Sequence, residues 1–347
     1  MKKAVFLMGA LLVLFPVLAF SNGQQEKSKG TAPVQAKVVK ISVGYENATS
    51  EPAAKAVVKW ADLVKQKSNG SMELDLFPNS ALGKKTELID QMIVGQPIIT
   101  VADGAFLADY GVPDFGIFYA PFMFDNWDEV WNVVGSDWYK NLCDQLAQKA
   151  SIRVLSSNWI YGARDMLTVK KVVTPSDLSG LKLRVSSNKL SIVSFTSLGA
   201  AVVGMDMGDV YQALQAKTID GVENPVTSLA NRSFQEVAKY LCKDHHIYAT
   251  SMWICGEGFF KTLTADQQKI LAETADEAGL YNNELQDAAT ADAEKKLLAS
   301  GVAITTLTSE QQTAWVSAAQ PFFKMASKEL GWTDGLYATV KNASKKK

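Results

Sequence analysis

Over residues 38–104 the chain switches its hydrophobic period four times, and no other feature narrows the possible folds as much. "VVKISVG" alternates apolar and polar residues as a strand does, and "SEPAAKAVVKWADLVKQKSNG" then carries apolar residues at helical spacing, ending at Asn69 and Gly70. "SMELDLFPNSALG" returns to strand and turn, "KKTELIDQMIVGQ" to helix and "PIITVADG" to strand. The pattern is β-α-β-α-β, which predicts an α/β fold with a largely parallel sheet covered by helices on both faces. Ligands of such sheets bind beyond the carboxyl ends of the strands, so residues 45–47, with Glu46, and 103–104, with Asp103, become candidate site positions.

A second unit of the same kind begins near Ser151 with "IRVLSSNWIYG", continues through "LKLRVSS" and the apolar alternation at 201–203, and reaches "TIDGVEN". In "GLKLRVSSN" Leu181, Leu183 and Val185 share one face while Lys182, Arg184 and Ser186 share the other. That second face must meet water or an anionic partner. Residues 264–301 read as one long helix, with Thr264 as N-cap and Gly301 as stop. At 1.5 Å per residue it runs roughly 50 Å, enough to brace two domains.

The opening "MKKAVFLMGALLVLFPVLAFSNGQQ" has a basic start, an apolar run from Ala4 to Phe20 and then small and polar residues, the order of a secretory signal peptide. Residues 1–21 are read as that signal, 22–37 as a polar leader, and the mature protein as exported. Without Lys2 and Lys3 the 35 basic residues become 33 against 36 acidic ones, a net charge of −3 that favours no nucleic acid. Three cysteines allow at most one bridge in an oxidising compartment. Cys242 and Cys255 could pair across neighbouring strands, although small buried hydrophobes is the simpler description. The terminal "KNASKKK" reads as a solvated basic tail, assigned to 336–347.

Enzyme signatures are missing from the sequence. The two histidines, His245 and His246, are adjacent, so on a strand they point to opposite faces and share neither a metal nor a proton. One is expected to be structural and the other to face solvent. No nucleophile elbow, phosphate-binding glycine loop or dinucleotide fingerprint occurs. The chain is therefore read as a non-enzyme without metal or cofactor. Polar groups instead gather among aromatics near predicted strand ends: Arg164 in "NWIYGARDMLT", Arg184 in "LKLRVSSN", and Glu223 with Asn224 in "TIDGVENP".

The order of these pieces resembles a known family. The run "GLKLRV…SLGAAVVGMDMGDVYQALQAKTIDGVENP" is similar to the core signature of the solute-binding proteins of TRAP transporters, the DctP family. "KSNGSMELDLFPNSALG", "FYAPFMFDNWDEVW" and "GARDMLT…VVTPSDLSGLKLRV" resemble further segments of it, and the likeness runs from about Ile41 to about Trp332. It implies a type II-like periplasmic binding protein fold of two α/β lobes, with a long helix spanning both, closing on an organic acid. Lobe I is expected to comprise 38–161 plus about 250–290, and lobe II 162–249 plus about 291–335. The resemblance further implies that Arg184 makes a two-pronged salt bridge to the ligand carboxylate, that Arg164 is a second carboxylate contact, and that Asn224 reaches in from the opposite lobe.

Ser187 stands where some members contact ligand, and Met207 lies in the signature run. Trp159, Tyr161, Phe115 and Trp253 are candidate walls. The implied partners are a small organic acid and the small and large membrane subunits of a TRAP permease. The implied location is the periplasm, and the implied state a monomer. A sensor-kinase receptor and a periplasmic hydrolase are the alternatives. Ser186 replaces the family's proline, Val202 another proline, Asp209 a glutamate and Lys217 a glycine. These departures alter the pocket rim and leave the arginine in place.

Overall fold

The computed structural model describes residues 38–345. The signal peptide and leader read from the sequence lie outside the described residues, as do the last two residues of the tail. The strands are β1 (Val39–Gly44), β2 (Met72–Phe77), β3 (Ile98–Ala102), β4 (Ile152–Thr168), β5 (Lys182–Val185), β6 (Ala201–Gly204), β7 (Gly221–Pro225), β8 (Tyr240–Gly256) and β9 (Ala303–Thr306). The predicted β-α-β-α-β start is present, with helices Pro52–Lys67 and Lys85–Ile93 between the first three strands.

All these strands join one sheet in the order β2-β1-β3-β8-β4-β7-β5-β6, with β9 pairing on β8. The sheet is mixed rather than largely parallel. Parallel pairing unites β2, β1 and β3 in one block and β7, β5 and β6 in another. Between the blocks run β4 and β8, each 17 residues long and antiparallel to one another and to β7 and β3 respectively. Hydrophobic period identifies each βαβ unit but carries no information on the direction of strands that connect two units.

The β4–β8 ladder is irregular where it passes from one block to the other, with register shifts across Val154/Ser156, Ser156/Trp159, Ile160/Gly162 and Arg164/Met166. Gly162 sits there at φ +137°, and a Cβ on it would stand 2.7 Å from the Pro225 Cβ, so only glycine fits. A broken ladder leaves backbone groups without partners, and these must be satisfied elsewhere. The long helix Ala265–Ala299 supplies them: Asn283 Oδ1 accepts from the Ile160 N–H at 2.8 Å, and Asn282 and Gln286 amides donate to the Ile160 carbonyl, each at 2.8 Å.

Thr264 is the N-cap expected from the sequence, Gln267 completes a reciprocal box with it, and the 35 residues extend about 52 Å. The helix meets the first block through Trp60, whose indole donates to Thr274 at 3.1 Å, and the second through Lys296, which donates to the Ala230 carbonyl at 2.7 Å.

Each block has its own core. Trp60, Trp159 and Trp253 are fully buried together, with ring centroids 5.2–6.3 Å apart. Leu183, Val185, Phe195 and Trp315 belong to a separate cluster. Residues expected in a free basic tail instead form the helix Leu336–Ser344, which buries Leu336 and Val340 and accepts a hydrogen bond from Asn132 at Ser344.

All three cysteines are free, which removes the suggested bridge: Cys242 and Cys255 lie on the same strand, β8, about 40 Å apart at strand rise. His246 is buried between Asp244 and Glu223, whereas His245 is partly exposed beside Asp165. Among the described residues, no helix is long and apolar enough to cross a membrane and no group of acidic, histidine or cysteine side chains is placed to hold a metal.

Candidate functional site

Carboxyl ends of the parallel strands converge on one cavity of about 360 Å³. Glu46 and Asn47 enter it after β1, Asp103 after β3, Ser186 and Ser187 after β5, Met205 to Met207 after β6, and Asn224 from β7. Arg164, Tyr161, Tyr119, Lys84, Lys85 and Arg232 complete the polar wall. Of the eleven ligand-contact candidates named from the sequence, eight line this space, and Trp253, buried in the tryptophan core, does not. Phe115 and Trp159 do not either: both are fully buried in core clusters, Phe115 edge-on to Tyr139 and Trp159 donating to the Ala275 carbonyl at 3.0 Å.

The two arginines differ in their attachments. Arg164 is 2 % exposed and bonded through Nε to Glu223 Oε2 at 2.5 Å, through Nη2 to Glu223 Oε1 at 2.6 Å, and through Nη1 to the Tyr119 hydroxyl at 2.6 Å. A second Nη2 hydrogen meets the Glu223 carbonyl at 3.1 Å, so of its five N–H donors one is left. Its charge is matched inside the protein. Burial pushes the Glu223 carboxyl up, but Arg164 and His246 beside it outweigh that and hold it at about 2.

Arg184 is equally buried, yet no carboxylate among the described residues is within salt-bridge range of it. Its Nε and Nη2 both donate to the Met205 carbonyl, at 2.9 and 2.6 Å, which fixes the guanidinium plane. Nη1 has no partner. Two Nη1 hydrogens and the outer Nη2 hydrogen thus remain, the end-on fork that matches a carboxylate. Burial pulls the guanidinium below its ordinary value without discharging it.

The acceptors come from both blocks: Asn224, expected from the opposite lobe, lies on β7 in the same block as Arg184 because β7 pairs with β5, whereas Asp103 and Glu46 follow β3 and β1. Asn224 donates weakly from its amide nitrogen to the Met207 sulfur at 3.7 Å, while its Oδ1 is buried and unpartnered. Asp103 caps the helix Gly104–Ala108 with Oδ1, accepting from the Ala105 and Phe106 N–H groups at 2.9 and 3.2 Å. Burial pushes its carboxyl up, and Lys85 moderates the rise. Glu46 is paired with Lys85 at 2.9 Å, and Lys85 also lies 4.3 Å over the Phe106 ring. Burial alone would raise the Glu46 carboxyl, but Lys85 brings it below the usual range.

Sequence reasoning did not select Tyr119, Lys85 or Arg232. Lys85 reads as an ordinary first-turn residue of an amphipathic helix and Arg232 as a loop residue, so neither breaks a local pattern. Glu223 was visible near a strand end, but its bond to Arg164, 59 residues away, was not.

Comparison with known proteins agrees with this geometry. The family model "Bacterial extracellular solute-binding protein, family 7", DctP, matches residues 43–329. The C4-dicarboxylate-binding periplasmic protein DctP of Rhodobacter capsulatus is 28 % identical over 305 residues, covering 87 % of this chain and 90 % of the relative. A TRAP periplasmic solute-binding protein from Ochrobacterium anthropi, solved with bound L-fuconate, is 34 % identical with a TM-score of 0.83, covering 88 % and 99 % of the two chains. Another from Actinobacillus succinogenes, with bound L-galactonate, is 35 % identical with a TM-score of 0.81 over the same shares. These relatives are receptors rather than enzymes, and they share the two-lobe periplasmic binding protein fold. The chain belongs to the DctP family and is a solute-binding protein of the TRAP type.

Proposed function

We propose that this receptor captures a sugar acid, a polyhydroxy carboxylate, between its lobes and delivers it unchanged to a TRAP permease in the membrane. The observation that carries the proposal is Arg184: a buried cation with an open fork and no internal counter-charge. Leaving such a charge unpaired in a dry site is costly, so the site favours an anion from outside. Two charge-assisted hydrogen bonds to a carboxylate contribute about 3–6 kcal/mol, against about 8 needed for micromolar binding. The remainder comes from the other walls.

Hydroxyl groups on the ligand account for the acceptor beside the clamp. Asn224 Oδ1 needs a donor, which a bare dicarboxylate lacks. A cavity of about 360 Å³ has room for a six-carbon sugar acid. L-fuconate and L-galactonate in the two similar structures are acids of that class.

In this reading lobe I comprises 38–161 and about 250–290, and lobe II 162–249 and about 291–335. Closure bends the irregular crossing near Gly162. Residues 1–21 direct export to the periplasm, and the receptor works as a monomer. Small molecules released from purified, denatured protein, identified by mass spectrometry and returned in calorimetry to wild type and Arg184→Ala, test the proposal. A sugar acid that loses at least about tenfold in affinity on the variant is expected. Unchanged affinity would refute the clamp.

A further inference from the structure

The cavity holds a second guanidinium without a carboxylate. Arg232, which follows the helix Val226–Asn231, donates from Nη2 to the Glu46 carbonyl at 2.7 Å, and its Nε is buried with no partner. Among the described residues no acidic side chain forms a salt bridge with it; the Glu46 carboxylate beside it is held by Lys85. An orphaned buried N–H at the border of a cavity calls for a ligand oxygen.

The topology sets this donor apart from Arg184. Glu46 follows β1 and Arg184 sits on β5, and these strands lie on opposite sides of the crossing pair β4 and β8. Arg232 comes from the β7 side yet is anchored on the β1 side through the Glu46 carbonyl, and it lines the same cavity as Arg184. A ligand whose carboxylate lies on Arg184 presents its far end there. Glu46 and Glu51 balance the cations Lys85 and Arg232 around that end, so no excess positive charge there calls for a second carboxylate.

We propose that Arg232 is a specificity-determining contact that reads the terminal hydroxyl of the sugar acid, through an Nε–H brought into place by the bond from Nη2 to Glu46 across the cavity. The bond to Glu46 joins segments from the two sides of the cleft, so the contact is complete only in the closed form. The inference rests on the sugar-acid reading.

The test is a cycle between two proteins and two ligands. L-fuconate is L-galactonate without its terminal hydroxyl, so calorimetry of wild type and Arg232→Gln with both acids isolates that group. Wild type is expected to prefer L-galactonate, and the variant to lose about tenfold or more on L-galactonate while changing less than about threefold on L-fuconate. Equal losses on both acids would make Arg232 a structural link only and overturn the inference, as would unchanged affinity for L-galactonate. Arg232→Lys keeps a donor for the Glu46 carbonyl but has no Nε–H, so it should show the same selective loss if the glutamine variant folds poorly. Failure of wild type to bind either acid would sink the sugar-acid reading itself, whereas wild-type binding without the selective loss sinks only the role of Arg232.

Discussion

Arg164 and Glu223 form a buried two-pronged pair that also receives His246, whose Nε2 lies 3.2 Å from Glu223 Oε2. The glutamate therefore meets two cations behind the site, and removing it would strand Arg164 while leaving His246 only Asp244. Glu223→Ala is expected to destabilise the protein by about 3–5 kcal/mol in urea unfolding. A loss below about 1 kcal/mol would mean the pair is not structural.

Arg184 predicts the opposite separation of stability from binding. Because its charge has no internal partner, Arg184→Met removes a desolvated cation while keeping a chain of similar length. The ligand-free variant should melt at or above the wild-type temperature while its affinity for the captured acid falls at least about tenfold. A variant that unfolds several degrees earlier would show that the bond to the Met205 carbonyl, and not the ligand, is the main role of this side chain.

His246 sets a pH dependence of stability. Burial opposes its protonation, but Asp244, at 3.0 Å from Nδ1, and Glu223 outweigh that and raise its pKa to about 9. The folded value lies above the unfolded one, so the contribution is complete below about pH 6.5 and is lost as pH rises through about 9. Unfolding midpoints between pH 6 and 10 should fall more steeply for wild type than for His246→Gln. Parallel curves would refute the coupling.

The long helix predicts a steric effect far from the ligand. A Cβ on Gly279 would meet Asn158 Oδ1 at 2.2 Å and the Trp159 ring at 2.8 Å, at the place where helix amides complete the broken β4–β8 ladder. Gly279→Ala should cost about 1–3 kcal/mol despite the better helix propensity of alanine. Stability equal to or above wild type in chemical denaturation would show that this packing can relax.

Local chemistry alone determined much of this protein. Hydrophobic period marked the βαβ units, Thr264 and Gly301 bounded the long helix, and the alternation of "GLKLRVSSN" singled out Arg184, because each depends on residues a few positions apart. Tertiary structure decided the rest. The mixed sheet, the docking of the final helix, and the placement of Cys242 and Cys255 on one strand follow from how distant segments pair. So does the difference between the arginines: both stand near strand ends, and only folding brings Glu223 to Arg164 and leaves Arg184 buried without a carboxylate. Lys85 and Arg232 stayed hidden for the same reason, since a side chain acquires a role in a cleft from neighbours that the order of residues does not place beside it.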